Sequence, residues 1–527
     1  MKREEMLARV QTRTTPWDIV IIGGGATGMG IAVDAASRGY DVLLLEREDF
    51  GKGTSSRSTK LVHGGVRYLE QGNVTLVMEA LKERGLLRQN APHLVHDLAF
   101  VVPSYSWWET PFYGIGLKIY DLLAGKYGFG RSRVLSREET LERLPNIQTE
   151  GLKHGVVYYD GQFDDTRLLI HLARTAADHN ATLLNYAGVT EITKDNEGFV
   201  NGVIALDGES GRPLTAPAKV VINATGIFAD QVRQLSDPQA SAMMEPSQGI
   251  HLVFERSFLR GDAAIMVPHT SDGRVLFAIP WHDHVVVGTT DTPIEEPSYD
   301  PLPMAQEIEF ILETAERYLS RPPRREDILS VYVGIRPLVK AAGSDTGKTS
   351  ALSRDHTIHV DNSGLLTIAG GKWTTYRHMA EDCVDHAITL GHLDERPCTT
   401  RDLRIHGYRE EMDDLGPLGV YGSDALSIQA LAAADPSLAV RLDPALPYIG
   451  AEVVWAAREE MARTVDDVIS RRTRALFLNA RAAQRMIEAV ARLLAHELHR
   501  DDAWVRSQIE SASALAAKYV VPVNGKS

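Results

Sequence analysis

The chain is poor in cysteine and has no long uninterrupted apolar run. Its 527 residues include only two cysteines, Cys383 and Cys398, which excludes a disulfide framework beyond one bridge and favours reduced thiols in a cytoplasmic setting. The longest apolar stretch, residues 19–33, is broken by glycines and is too short to span a bilayer. The N-terminal segment alternates positive and negative charges and has no apolar core. Neither a secretory signal nor a transit peptide is therefore predicted.

The chain also lacks an excess of positive charge, internal repeats and metal-ligand spacing. Its net charge of −14 disfavours nucleic-acid binding, so an anionic substrate would need a local cluster of arginines. Histidine pairs occur at 282/284 and 356/359, but no carboxylate-backed zinc pattern accompanies them. No metal site is predicted.

What is present is a series of short buried strands around one helical segment. Residues 19–22, 42–45, 219–223 and 365–369 are compact apolar runs, and helical periodicity follows the first of them. This β–α–β order predicts a doubly wound parallel sheet in an α/β fold.

Other parts of the chain follow different patterns. Residues 249–254, 275–279 and 284–288 are predicted strands of an antiparallel sheet, and an aromatic-rich insertion covers about 88–160. Beyond about residue 420 the pattern is helical, with one apolar face at steps of three and four residues, formed by Val454, Ala457, Met461, Val465, Val468 and Ile469. A separate small helical domain is predicted there.

A glycine-rich turn directly follows the first strand and opens the first helix. Gly23, Gly25 and Gly28 have the spacing that allows a tight turn, close approach of a pyrophosphate and close helix–strand packing. The helix N-terminus favours phosphate, and Glu46 closes the second strand, where a carboxylate binds a ribose hydroxyl. Together these features indicate a dinucleotide site.

Two later features favour FAD over NAD. Ala224 and Gly226 follow the strand at 219–223, and residues 369–376, including Gly371, Lys372 and Thr374, form a second glycine-rich helix start. Such a helix start suits the isoalloxazine ring, because its dipole stabilises negative charge on the reduced flavin. Ser55, Ser56 and Lys60 are candidates to hold the FAD pyrophosphate or ribityl chain.

Four motifs are spread over nearly the whole chain: residues 54–70 read TSSRSTKLVHGGVRYLE, 334–338 read GIRPL, 353–355 read SRD and 370–377 read GGKWTTYR. Together they resemble one family, the FAD-dependent glycerol-3-phosphate dehydrogenases. The tail, around 451–453 and 471–474, is similar to that family's C-terminal helical domain. Trp373 departs from the aliphatic residue common in related chains, without consequence for the chemistry.

The resemblance implies oxidation of glycerol 3-phosphate to dihydroxyacetone phosphate, with electrons passed to a membrane quinone. It also implies an amino-acid-oxidase-like fold with the substrate over the flavin, and a homodimer is left open. By this analogy the substrate would be met by Arg67, Tyr68, His251, Arg336, Arg354 and Lys372.

The residue chemistry leaves several roles open. Arginine suits a phosphate dianion because its fork gives bidentate contacts, although a single arginine is more often a solvated surface residue. His251 is the first candidate for the base that takes the hydroxyl proton, and a core histidine bonded to a carbonyl is an equal alternative. His63 or an arginine-bound water competes for that role.

Two more arginines and one basic run have expected roles. Arg57 and Arg377 are expected to be structural or close to FAD. The run at 471–474 is expected to be a solvated helix face, although it would also suit an anionic lipid surface.

The predicted organisation has two parts. Residues 17–395 form an FAD-dependent oxidoreductase region, with FAD-binding parts at about 17–87, 161–240 and 336–395 and substrate parts at about 88–160 and 241–335. Residues 396–527 form the C-terminal helical domain.

The residues also leave three alternative functions open. The alternatives are an oxidase of a small amino or hydroxy acid, a glycerol-3-phosphate oxidase that uses dioxygen, and a flavin-binding scaffold without turnover.

Quinone reduction requires contact with the membrane surface, and residues 111–133, which mix aromatic and basic side chains, are the candidate segment. An inserted helix packed in the substrate domain is an equal alternative for that segment. The expected location is cytoplasmic, peripheral on the cytoplasmic face of the cell membrane.

Overall fold

The structure is a computed structural model that describes residues 1–70, 72–106, 109–268, 270, 274–340, 355–411 and 414–522. The side chains of Arg67 and Glu70 lie outside this description.

Strands make up two large sheets. Their bounds are β1 Trp17–Ile22, β2 Val42–Leu45, β3 Leu61–Val62, β4 Val95–Ser104, β5 Arg133–Leu135, β6 His154–Phe163, β7 Thr182–Leu184, β8 Ala187–Lys194, β9 Val200–Asp207, β10 Pro213–Asn223, β11 Ser247–Glu255, β12 Ala263–Val267, β13 Leu276–Trp281, β14 His284–Gly288, β15 Thr292–Pro293, β16 Ser330–Arg336, β17 His356–Val360 and β18 Leu366–Gly370. Every strand predicted from the sequence is found, some with longer bounds.

Helices cover the sheets and form the C-terminal part. Their bounds are α1 Arg3–Thr12, α2 Ala26–Ser37, α3 Val66–Glu70, α4 Val74–Asn90, α5 Glu109–Ala124, α6 Arg137–Arg143, α7 Asp165–Asp178, α8 Ala229–Ser236, α9 Ala305–Tyr318, α10 Tyr376–Leu390, α11 Ala425–Ala434, α12 Gly450–Glu459, α13 Ala475–Leu478, α14 Ala480–Glu497 and α15 Asp502–Ala517.

The first sheet has the predicted parallel core. Its order is β17-β18-β10-β1-β2-β7, where β18, β10, β1, β2 and β7 run parallel and β17 is antiparallel at one edge. Helices α2, α7 and α10 pack together beside it. Gly30 of α2 allows the close approach of α10, because a Cβ there would lie 2.8 Å from the Tyr376 ring. The strands read as continuous apolar runs because both faces are covered.

The second sheet is mainly antiparallel, as predicted for the substrate part. Its order is β15-β11-β14-β13-β12-β4-β6-β3, with β16 on β11 and β5 on β6. Alternate residues of β11 face opposite ways. Leu252 packs in the cluster that contains α9, and Val253 packs in the cluster that contains the C-terminal helices. His251 shares the face of Val253 and pairs with Tyr332 of β16.

The C-terminal part is helical, but its predicted apolar face does not form one helix. Helix α12 ends at Glu459, Met461 has a left-handed backbone (φ +54°), and a π-helical turn follows at Asp467–Arg472. The reason is tertiary: Glu460 forms a buried ion pair with Arg167 of α7 at 2.6 Å, which redirects the chain after α12.

Within the described residues, we find no helix that combines the length and the apolar character needed to cross a bilayer.

Candidate active site

The glycines after β1 each meet a separate steric demand. Gly23 has φ +110°, and a Cβ there would lie 2.7 Å from the carbonyl oxygen of Ala224. Gly25 directly precedes α2 in extended conformation. A Cβ on Gly28 would lie 1.9 Å from the carbonyl oxygen of Gly23, so helix and turn can pack only without a side chain. The turn therefore leaves the N-terminus of α2 open to a pyrophosphate.

The Glu46 carboxylate lies at the carboxyl end of β2, beside this turn. It accepts hydrogen bonds from the backbone N–H of Gly24 (2.6 Å) and of Glu48 (2.8 Å). Burial raises the pKa of Glu46, while these two N–H donors oppose the shift. The group is thus held in place at the edge of the cavity, where an acceptor can meet a ribose hydroxyl.

One cavity of about 630 Å³ joins the two sheets, which is a size typical of a cofactor site. Gly23, Gly25, Glu46, Ala224 and Gly226 line it on the side of the first sheet. Its lining also includes side chains of the second sheet and of residues 370–374, among them Arg336, His251, Lys372 and Phe277.

A second glycine turn, at Gly370 and Gly371, also lines the cavity. Gly370 and Gly371 have φ of +80° and +78°, and a Cβ on Gly371 would lie 2.3 Å from the sulfur of Met379. A 3₁₀ turn at Trp373–Thr375 then leads into α10. This places a helix start against the cavity, as predicted for the flavin ring.

Ser55 connects the two turns. Its hydroxyl accepts a hydrogen bond from the N–H of Ala26, at the start of α2, at 2.9 Å. Its carbonyl oxygen accepts one from the Trp373 indole at 2.8 Å. Thr374 lines the cavity and accepts a hydrogen bond from the N–H of His63 at 3.2 Å. These contacts make Ser55 and Thr374 suitable cofactor contacts.

Ser56 and Lys60 do not reach the cavity, so the structure does not support their prediction as cofactor-binding residues. Both are buried, and the Ser56 hydroxyl donates to the Gly53 carbonyl. The Lys60 ammonium donates to both carboxylate oxygens of Asp165 (2.9 and 2.8 Å) and to the Ser56 carbonyl (2.7 Å). An ammonium that is held by a buried carboxylate outside the cavity cannot also contact a pyrophosphate bound in the cavity.

Arg336 ends β16 at the cavity wall and is firmly held. Its guanidinium donates to Asp291 at 3.0 Å, to the Thr290 carbonyl at 2.8 Å and to the Thr289 hydroxyl at 3.3 Å. Asp291 is also hydrogen-bonded to Ser247. The side chain remains a quarter exposed toward the cavity, so it presents a positioned cation to an anion.

Lys372 is the second predicted cation on the cavity wall. Its ammonium sits 3.9 Å from the centre of the Tyr68 ring, and both residues line the cavity. The Arg67 side chain and Arg354, the other predicted clamp residues, lie outside the described residues.

His251 lines the cavity with almost no exposed surface. Its Nε2 is 2.9 Å from the Thr59 hydroxyl, and its ring stacks on Tyr332 with centroids 4.8 Å apart. Burial, assisted by the charges of Lys60 and Arg336, holds the pKa of His251 well below its usual range. The imidazole is therefore neutral at physiological pH, as a general base must be.

His63 also lines the cavity, in a half-buried position. Its ring is tilted against Phe277 with centroids 6.5 Å apart. The structure therefore brings both candidate bases to one cavity, and the choice between them requires experiment.

Sequence reasoning missed the residues around His251. Thr59 contacts its ring directly, Tyr332 stacks on it, and Asp165 holds the neighbouring Lys60. Thr59 and Lys60 lie inside the glycine-flanked motif at 54–70, which was the one local signal available. Asp165 and Tyr332 had no such signal, because their contacts depend on chain folding.

The arginine run at 471–474 is buried, so the expected solvated helix face is wrong. Arg471 and Arg472 both pair with Asp49 (2.5 and 2.7 Å), and Arg474 pairs with Asp164 at 2.8 Å. The run therefore joins the C-terminal helices to the first sheet and to α7. It is unavailable to a lipid surface.

Arg57 and Arg377, which were expected to be structural or close to FAD, occupy different places. Arg57 lines the cavity and pairs with Asp300 at 3.2 Å. Arg377 is buried against Glu83 at 2.7 Å and Glu381 at 2.9 Å, away from the cavity, and is structural.

Two family models together cover most of the chain. Residues 18–377 match the family described as FAD dependent oxidoreductase, and residues 367–505 match the C-terminal domain of alpha-glycerophosphate oxidase. The fold and the cavity thus define an FAD-dependent oxidoreductase, and FAD is confirmed as the cofactor.

Comparison with known proteins narrows this class. The chain is 41% identical to the mitochondrial glycerol-3-phosphate dehydrogenase of Homo sapiens over 97% of its own length and 74% of that protein. It is 40% identical to the probable mitochondrial glycerol-3-phosphate dehydrogenase of Caenorhabditis elegans, with the same coverage. The crystal structure of glycerol-3-phosphate dehydrogenase from Bacillus halodurans, complexed with FAD, matches with a TM-score of 0.81 and 30% identity, over 100% of this chain and 99% of that one.

The chain therefore belongs to the FAD-dependent glycerol-3-phosphate dehydrogenase family. The predicted fold class, with its doubly wound domain, antiparallel substrate sheet and helical C-terminal domain, is confirmed.

Proposed function

We propose that this protein oxidises sn-glycerol 3-phosphate to dihydroxyacetone phosphate, by hydride transfer to N5 of the FAD, and passes the electrons to a membrane quinone. The observation that carries the substrate assignment is that two cations, Arg336 and Lys372, line the same cavity as the neutral imidazole of His251. A phosphate dianion needs fixed cations, and an alcohol needs a base. FAD supplies the two-electron acceptor when it is bound.

Arg336 is the better defined of the two cations. Its bonds to Asp291 and the Thr290 carbonyl orient the guanidinium before any substrate arrives, so little side-chain entropy is lost on binding. Lys372, which belongs to the motif at 370–377, adds a second positive charge. Together they favour a phosphate over the uncharged end of glycerol.

His251 has the role of proton acceptor in this proposal. Its low pKa keeps the ring uncharged, and the ring cannot rotate freely because Tyr332 stacks on it. Loss of the hydroxyl proton to this ring accompanies departure of the C2 hydrogen with its electron pair. His63 remains the alternative base.

The substrate is tested by anaerobic flavin bleaching with glycerol 3-phosphate, glycerol, glycine and a small hydroxy acid. Glycerol 3-phosphate should bleach the flavin fastest. Arg336→Ala should lower kcat/KM by about one to two decades, since a charge-assisted contact is worth roughly 1.5–3 kcal/mol, and should narrow the preference over glycerol. Arg324→Ala, at an exposed position, is the matched control. Faster bleaching by an amino or hydroxy acid would contradict the substrate assignment.

The base is tested by His251→Asn and His63→Asn in the same assay. His251→Asn should slow flavin reduction by about 10²–10⁴-fold. A rate within a few-fold of wild type would transfer the role to His63 or to an arginine-bound water.

The proposed membrane contact rests on α5. Its buried side, including Leu117 and Tyr120, packs on the protein, while the opposite side is exposed. This apolar face of α5 consists of Phe112, Ile115, Ile119 and Leu122, and Leu122 is 80% exposed. Val74 and Met78 of the neighbouring α4 add exposed apolar surface. Exposed apolar rows of this kind are typical of interfacial helices.

Helix α5 reaches the cavity lining through its buried side. Tyr120, on the buried side of α5, accepts a hydrogen bond from the N–H of Gly64 at 2.8 Å and donates one to Asp160 at 2.7 Å. Asp160 lines the cavity, and α5 also contacts α3, which carries Tyr68. A quinone in the bilayer beneath α5 would thus lie near the substrate end of the site.

Turnover with a soluble quinone against turnover with air, together with sedimentation on anionic liposomes, tests the acceptor and the location. We expect quinone activity and liposome binding, consistent with a peripheral position on the cytoplasmic face of the cell membrane. Leu122→Asp should weaken sedimentation, whereas Leu302→Asp, at an exposed position outside α5, should not. Fast hydrogen peroxide production without quinone activity or liposome binding would make the protein an oxidase. A homodimer stays a prediction.

A further inference from the structure

Lys60 occupies an unusual position for a lysine. It is fully buried, with Asp165 as its carboxylate partner. Three aromatic rings surround its ammonium, with centroids 5.0–5.2 Å away: Trp281, Tyr332 and Phe477. A buried cation is costly, and its retention is often tied to a specific role. Phe477 belongs to α13, so the C-terminal domain contributes one wall of this enclosure.

The backbone at Lys60 separates it from its neighbour. Lys60 has φ +64°, a left-handed conformation that a non-glycine residue adopts only at a cost. The ammonium of Lys60 then lies in the aromatic enclosure, while the hydroxyl of Thr59 lies against His251 at the cavity wall. Thr59 thus contacts the His251 ring directly, and Lys60 shares the Tyr332 ring with it, its ammonium 5.1 Å and the imidazole 4.8 Å from the centre of that ring.

The contacts of His251 are few. Its Nε2 is hydrogen-bonded to Thr59, while its Nδ1 is buried without a hydrogen-bond partner among the described residues. The charged and titratable groups that face it are Arg336 and Tyr332 from β16 and Lys60 from the loop before β3, with Asp165 of α7 behind Lys60. The adjacent residue of β14 is the uncharged Gly288.

From this arrangement we infer that Thr59 and Lys60 are positioning residues for His251. Thr59 holds the imidazole in place through the hydrogen bond at Nε2, and Lys60 acts as a fixed buried cation that keeps the ring uncharged. The inference rests on the proposed role of His251 as the base. The depressed pKa of His251, to which burial and then Lys60 contribute, agrees with it. It replaces the predicted contact of Lys60 with FAD.

Thr59 is tested with a matched pair of variants. Thr59→Val removes the hydroxyl with little change of volume, and Thr59→Ser retains it. In the FAD-loaded enzyme, Thr59→Val should slow flavin reduction roughly 3- to 10-fold, the value of one neutral hydrogen bond, and Thr59→Ser should stay within about twofold of wild type. The ¹⁵N shifts of His251, assigned by comparison with His251→Asn, should report the loss of the hydrogen bond at Nε2 in Thr59→Val and not in Thr59→Ser.

Lys60 is tested by the pH dependence of flavin reduction. In wild type the rate should stay flat as the pH falls through the usual pKa range of histidine, because burial keeps the base deprotonated there. In Lys60→Met the cation is gone and Asp165 is left charged, so the acid limb should move up by roughly one pH unit or more. FAD content per chain should stay unchanged, which a cofactor-binding lysine would not allow. Lys153→Met, at an exposed position, is the control.

The outcomes separate the two proposals. A large loss in His251→Asn, together with wild-type ¹⁵N shifts of His251 in Thr59→Val and a wild-type pH profile in Lys60→Met, overturns this inference and leaves the base assignment standing. A wild-type rate in His251→Asn overturns both. Loss of FAD in Lys60→Met returns the lysine to cofactor binding. If Lys60→Met does not fold, the Thr59 pair decides.

Discussion

Glu452 is a buried carboxylate whose ionisation should make the stability of this protein depend on pH. It lies in the first turn of α12, where its carboxylate accepts hydrogen bonds from the Ile449 N–H at 2.8 Å and from the Tyr421 hydroxyl at 3.0 Å. Burial raises the pKa of Glu452 to about 7, although these donors and Arg474 oppose the shift. The perturbation is Glu452→Gln, which keeps the shape and removes the ionisation.

The direction of the effect follows from the two states. The folded-state pKa of Glu452 lies above its unfolded value of about 4.3–4.5. The proton therefore stabilises the folded state fully below that unfolded value, and the contribution is lost as the pH rises through about 7. One pKa unit corresponds to about 1.4 kcal/mol, so wild type should lose about 2–3 kcal/mol between pH 5 and pH 8 through this group. Glu452→Gln should not show this loss.

The assay is the melting temperature of wild type and variant at pH 5 and at pH 8. Tm of Glu452→Gln relative to wild type should rise between the two pH values, after a small deficit of about 1 kcal/mol for one replaced hydrogen-bond acceptor. Glu139→Gln is the matched control, since Glu139 caps α6 in the same way at an exposed position, where a hydrogen bond from Arg133 lowers its pKa. Parallel pH dependence in wild type and Glu452→Gln would refute the reasoning.

Two further predictions concern the domain junction and the cofactor turn. Asp49→Asn leaves two buried arginines without their shared carboxylate, so it should cost roughly 3–5 kcal/mol and lower Tm by calorimetry; an unchanged Tm would show that this junction contributes no stability. Gly371→Ala places a Cβ 2.3 Å from the sulfur of Met379 and should reduce the FAD absorbance per chain. Gly364→Ala, at a similar φ of +85° in open space, should retain FAD, and equal loss in both would attribute the effect to backbone strain alone.

Local patterns in the sequence were sufficient for the backbone around the cofactor. The strands at 42–45 and 284–288 have the predicted bounds, as expected for compact apolar runs between turn residues. A Cβ on Gly28 would meet the carbonyl oxygen of Gly23 within the same strand–turn–helix unit, so this packing demand is visible in the local spacing. The contacts of Gly23 with Ala224 and of Glu46 with Gly24 form only when the strands assemble into the sheet.

Tertiary structure decided the destinations of the long charged side chains. Lys60 meets its carboxylate 105 positions away, and Arg472 meets Asp49 across 423 positions. A lysine or arginine reaches far from its own backbone, so its nearest sequence neighbours do not determine whether it binds a ligand, solvent or a buried carboxylate.

The sequence by itself therefore determined the fold class, the cofactor and the position of the cofactor turns, since these follow from the first strand–turn–helix unit, the second glycine-rich helix start and the motifs that resemble the family. Only the tertiary structure decided that Thr59, Lys60 and Tyr332 surround His251, that the run at 471–474 joins two domains, and that the apolar pattern at 454–469 is split after Glu459. The physical reason is that a buried charge must be paired, and the partner that satisfies it is supplied by folding.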